Sequence, residues 1–92
     1  MFLVTVAIER TAQAVVPVLE PDLVVKALRA GAAPDDGLEH VSARAGPGGL
    51  QVGLFCRALD REIAETNAHR ICRNVFKSQP PFTGWRLAEG NS

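Results

Sequence analysis

Four residues, Gly46-Pro47-Gly48-Gly49, constrain this chain more than any others. They separate two segments, Leu38–Ala45 and Leu50–Arg57, in which apolar and polar side chains alternate. Alternation on both sides of a glycine-rich turn predicts an antiparallel hairpin. Its register follows from the sequence alone. Closing the loop over residues 46–49 sets Ala45 opposite Leu50, Ala43 opposite Val52 and Val41 opposite Leu54, on the face that also carries Cys56. The other face then pairs Arg44 with Gln51, Ser42 with Gly53 and His40 with Phe55. A slip of one residue would exchange the two faces throughout, so agreement among the apolar positions selects this alignment.

The remaining segments fall around that hairpin. Phe2–Glu9 reads as a strand, rich in β-branched residues, with Phe2, Val4, Val6 and Ile8 on its more apolar side. Glu20-Pro21-Asp22 opens a helix, with proline in the first turn and carboxylates near the positive end of the dipole. Leu23, Val24, Ala27 and Leu28 form its buried stripe, and Gly31 is expected as a left-handed C-terminal cap. Ala32–Gly37 reads as a loop. A second helix runs over Asp60–Lys77, with Asp60 as N-cap and Leu59 stapled onto Ala64. Its apolar stripe is Ile63, Ala64, Ala68, Ile71, Cys72, Val75 and Phe76, and Pro80-Pro81 stops it. Trp85–Ala88 reads as the last strand, with Trp85 and Leu87 inward, before a polar tail. Residues 11–20 are the least legible: Val15, Val16, Val18 and Leu19 ask for burial, but Pro17 cannot donate to a central ladder. An edge segment or an irregular connection is expected there.

The order β-α-β-β-α-β, with the handedness rule for crossovers, leaves few assemblies. The fold class expected is α+β: a ferredoxin-like βαββαβ sandwich over residues 1–92 as one domain. Its four-stranded antiparallel sheet would run in the order 4-1-3-2, with both helices on one face. An alternative takes the fourth strand from a partner. At 92 residues the core is thin, so self-association would add useful burial.

Composition narrows the functions. Ten basic residues balance ten acidic ones, which argues against a dedicated nucleic-acid binder, whose affinity comes from phosphate neutralisation. There is no apolar run long enough to span a bilayer and no cationic stretch ahead of Met1–Ile8, so neither a membrane span nor a secretory signal is expected. Cys56 and Cys72 lack metal-ligand spacing; both project into the expected core and read as buried, inert thiols of a reducing cytoplasm. Eight arginines against two lysines, with abundant Ala, Val and Gly, suit a GC-rich bacterial genome. No catalytic triad, metal cluster or cofactor motif stands out, and none of these groups is expected.

Interest therefore centres on the sheet face that the helices leave uncovered. It would carry Leu3, Thr5 and Ala7, then His40, Ser42 and Arg44, then Gln51, Gly53, Phe55 and Arg57, and finally Arg86 and Ala88. A single aromatic, Phe55, is too little for base stacking. The mixture of apolar and polar groups suits a protein interface. The leading expectation is a small non-catalytic accessory or regulatory protein, homodimerising through this face and binding a protein partner or small metabolite. Leu3, His40, Arg44, Phe55, Arg57 and Arg86 are its candidate ligand or interface residues, with Val15, Val16 and Val18 as a dimer arm. The alternative is a cofactor-free dimeric α+β barrel enzyme acting on a hydrophobic small molecule. There His40 would carry a proton, with Arg44, Arg57 or Arg86 beside the developing anion. His69, four residues after Glu65, is expected on the solvated side of the second helix in a surface ion pair.

Overall fold

The computed structural model describes residues 1–14, 18–46, 48–78 and 82–88. Its elements are β1 (Phe2–Arg10), α1 (Pro21–Gly31), a 3-10 turn (Pro34–Asp36), β2 (Leu38–Gly46), β3 (Gly49–Cys56), α2 (Arg61–Ser78) and β4 (Trp85–Leu87). All strand pairs are antiparallel, in the order β2-β3-β1-β4. This is the ferredoxin-like arrangement expected, read from the opposite edge.

The hairpin register matches the expected one pair for pair, from His40 opposite Phe55 to Ala45 opposite Leu50. One irregularity, a bulge between Leu38 and His40, lies beyond the part that the alternation could fix. Gly48 takes the left-handed φ of 72° that closes the turn. β3 in turn pairs with β1 along nearly its whole length, from Phe2 opposite Cys56 to Glu9 opposite Gly49. Even-numbered residues of β1 and β3 therefore share one face, and Val4, Val6, Ile8, Leu50, Val52, Leu54 and Cys56 are all buried.

The helices close over that face, α1 against β2 and α2 against β1, β3 and β4. Asp60 caps α2 as expected, its Oδ1 accepting from the Ile63 N–H at 2.9 Å. Four local expectations need correction. Leu59 does not staple the helix; it is 93% exposed. Leu23 and Ile63 lie at the margins of their stripes and are largely exposed, while Val25 packs against the core from α1. Gly31 is not a left-handed cap, since the helix ends at Ala32 in extended backbone. Glycine stands there because a Cβ would come within 2.6 Å of Val75 Cγ2, where α1 approaches α2. Of residues 11–20, those described form an irregular connection, tied down where the Thr11 hydroxyl donates to the Gly84 carbonyl at 2.7 Å. Leu19 from this connection and Phe82 ahead of β4 complete the core, with Phe82 packed against Phe76 at 4.7 Å between ring centroids. The expected stop at Pro80-Pro81 lies outside the described residues.

One buried charge organises the helix side. Asp36, 5% exposed, ends the 3-10 turn; its Oδ2 accepts from the Ala33 N–H at 2.8 Å and its Oδ1 pairs with Arg70 of α2. Asn67 donates to the Asp36 carbonyl at 3.4 Å and accepts from Arg70 at 3.1 Å. The carboxylate thus fastens the α1–β2 connection to the middle of α2. At the other end of α2, Arg61 reaches the open border of β1. It donates to the Leu3 carbonyl at 3.3 Å and lies 5.5 Å from the centroid of the Phe2 ring.

Removing the Asp36 carboxylate leaves the Ala33 N–H unsatisfied and releases Arg70, a loss of about 2 kcal/mol. Asp36→Ala should therefore lower the urea midpoint with little change in the denaturant slope, and Arg70→Met should recover less than half of that loss when combined with it. An unchanged midpoint would remove Asp36 from this role.

Candidate functional site

The uncovered face is ordered into rows by the strand register. Leu3, Phe55 and His40 stand side by side across β1, β3 and β2. The next row is Thr5, Gly53 and Ser42, and the one after it Ala7, Gln51 and Arg44. Leu3 is 44% exposed, an unusual value for a leucine on a central strand. The His40 and Phe55 rings lie 5.9 Å apart and are tilted by 47°. The middle row is small and close-set: a Cβ at Gly53 would crowd Ser42 Oγ at 3.0 Å and touch Leu3 Cδ1 at 3.4 Å. The missing side chain opens a shallow depression of about 480 Å³, bordered by Leu3, Thr5, Ser42, Arg44, Gln51 and Phe55.

Electrostatics separate the three arginines expected at a ligand site. Arg86 Nε is 2.7 Å from Glu9 Oε1, on neighbouring strands and in direct register. Arg57 lies 3.3 Å from Glu39 Oε1. These exposed pairs stabilise little by themselves, but they cancel two positive charges at opposite ends of the face. Arg44 is exposed and makes no ion pair with a described residue. The structure thus brings Leu3, His40, Phe55 and Arg44 onto one surface and commits Arg57 and Arg86 to internal partners. Val18 is 67% exposed, while Val15 and Val16 lie outside the described residues.

His40 is exposed on the open face, and no described carboxylate orients its ring. A second opening, of about 300 Å³, runs beside it between the end of α1 and β2, lined by Arg29, Pro34, Glu39 and His40 among others. It is open to solvent, a poor setting for holding a hydrophobic substrate. His69 departs from expectation: it is half-buried, its Nε2 is shielded without a hydrogen-bond partner, and no ion pair joins it to Glu65. Among the described residues no cluster of His, Cys, Asp or Glu is placed to hold a metal ion. No helix of the described residues is long and apolar enough to cross a membrane. Asp36 and Arg61 were invisible as organising residues in the sequence, because Arg70 and Asn67, and likewise Leu3 and Phe2, lie on segments far along the chain.

Both cysteines are free thiols, fully buried beneath the helices. Burial pushes Cys72 from an ordinary value of 9.0 up to about 12, with a further rise from Cys56. Cys56 is raised by burial and, to a lesser degree, by the Asp36 carboxylate. Neither thiol is poised as a nucleophile at neutral pH. The chain matches no family model, no curated protein and no solved structure.

An acid whose folded-state pKa is raised keeps its proton longer in the native state than in the unfolded one. Its stabilising contribution is present below pH 9 and lost as pH rises toward about 12. Over that window Cys72 should lower the unfolding free energy by roughly 1 kcal/mol per pH unit. Urea titrations across the window should give a shallower decline for Cys72→Ala; equal slopes would contradict the assignment.

Proposed function

We propose that this protein is a small non-catalytic accessory or regulatory protein that homodimerises through its open sheet face and, as a dimer, binds a protein partner or small metabolite. One observation carries the reading. The Leu3–Phe55–His40 row gives the face an apolar end, while the flanking cations Arg57 and Arg86 are neutralised within the same chain by Glu39 and Glu9. An isologous contact sets each patch against its own copy. A face bearing three uncompensated arginines would repel itself; one with a single unpaired cation, Arg44, and an apolar end meets little such opposition.

Size favours a modest affinity. Strands of nine, nine and eight residues and the three described residues of β4, at ~4.8 Å spacing and ~3.3 Å per residue, give a projected face of roughly 450 Å². That lies below the ~800 Å² per partner typical of stable interfaces, which favours a weak, reversible dimer. The same neutralised cations weigh against an anionic metabolite bound on this face alone. An enzyme using His40 as proton carrier would need an enclosed cavity and an orienting partner for that ring. Free, deeply buried thiols support a reducing compartment, and we place the protein in the cytoplasm on that basis.

Sedimentation equilibrium at tens of micromolar should report a dimer. Leu3→Glu should weaken it about tenfold or more by placing a carboxylate in each copy of the apolar row, while circular dichroism of the diluted protein stays native. A wild-type chain that is strictly monomeric at these concentrations would reject the reading.

A further inference from the structure

A separate groove lies at the border of the sheet, between β4 and the last turns of α2, with a volume of about 450 Å³. Phe76, Trp85 and Leu87 form its floor, and Arg73, Lys77 and Arg86 its rim. Arg86 holds Glu9, but Arg73 and Lys77 are exposed and make no ion pair with a described residue. They stand four residues apart on α2, a spacing at which like charges repel each other. Among the described residues no acidic side chain lines the groove. An apolar floor beside two cations that pair with no described carboxylate is complementary to a partner that is both acidic and apolar.

The shape of the groove selects among such partners. It is open along the border, so a small amphipathic anion would keep much of its surface in water. β4 is the edge strand of the sheet, the position from which an extended segment can be accommodated alongside. Acidic side chains two residues apart in an extended chain are separated by ~6.6 Å. The rise along α2 from Arg73 to Lys77 is about 6 Å. We propose that this groove docks an extended acidic segment of a partner protein, with carboxylates at Arg73 and Lys77 and an apolar side chain over Phe76, Trp85 and Leu87. The site shares Arg86 with the margin of the open face but does not require the dimer.

A short fluorescein-labelled peptide alternating glutamate with leucine is the probe, with a lysine–leucine counterpart as control. Trp85 is the only tryptophan and sits in the floor, so its emission reports occupancy directly. The acidic peptide should give a saturable rise in anisotropy with a matching change in Trp85 emission, and the lysine peptide neither. Arg73→Glu combined with Lys77→Glu should weaken binding about tenfold or more, while thermal melting confirms that these exposed substitutions leave the fold intact. Absence of saturable binding would overturn the proposal, as would equal affinity in the double variant. Displacement of the peptide by decanoate at lower concentrations would reassign the groove to small amphipathic anions and overturn it equally.

Discussion

The ladder between β1 and β3 is the constraint on which the other parts depend. Its pairing from Phe2 to Glu9 against Cys56 to Gly49 puts seven side chains on one apolar surface, each at most 3% exposed. That surface decides where both helices must lie, since only they bring enough apolar area to cover it. The opposite surface inherits the same register, so the Leu3–Phe55–His40 row follows from the core alignment without separate adjustment. A change of register would lose the core and the candidate site together.

Against this frame, the Asp36 cluster acts as a local fastening. Hydrophobic contacts are non-directional and would let α2 slide or rotate over the sheet. A buried carboxylate fixed by a backbone N–H of its own turn and joined to Arg70 of α2 favours a placement of that helix that keeps this pair. The connection from α1 to β2 thereby shares in positioning the long helix, even though it contributes little apolar burial.

Much of this architecture was legible in the sequence, for identifiable reasons. The hairpin could be aligned because Val41, Ala43, Val52 and Leu54 have period two around a tight turn, so local pattern and pairing carry the same information. Asp60 was readable because a cap acts within three residues. Gly31 was misread because two physical reasons for glycine, left-handed backbone and close helix approach, leave the same mark in a sequence. Leu23, Ile63 and Leu59 show a related limit: periodicity identifies an apolar stripe but not how far the neighbouring element extends over its margins. Asp36 with Arg70, and Arg61 with Phe2, link positions distant in sequence, and the local bond from the Ala33 N–H to Asp36 gives no sign of the partner on α2. On the open face, the identity of the residues was readable but the commitment of Arg57 and Arg86 to acidic neighbours was not. Arg86 opposite Glu9 required knowing how β4 aligns with β1.

Among the described residues β4 pairs with β1 from Ile8 to Arg10, the Ala88 N–H reaches the Ala7 carbonyl, and no described strand meets the outer side of Leu3. Arg61 occupies that border with a guanidinium on the Leu3 carbonyl and its plane near Phe2. A cation held there occupies an acceptor that an added strand would use. Charge at a strand border disfavours edge-to-edge stacking of chains into fibrils, so the residue that helps to seat α2 on the sheet also makes its flank less sticky.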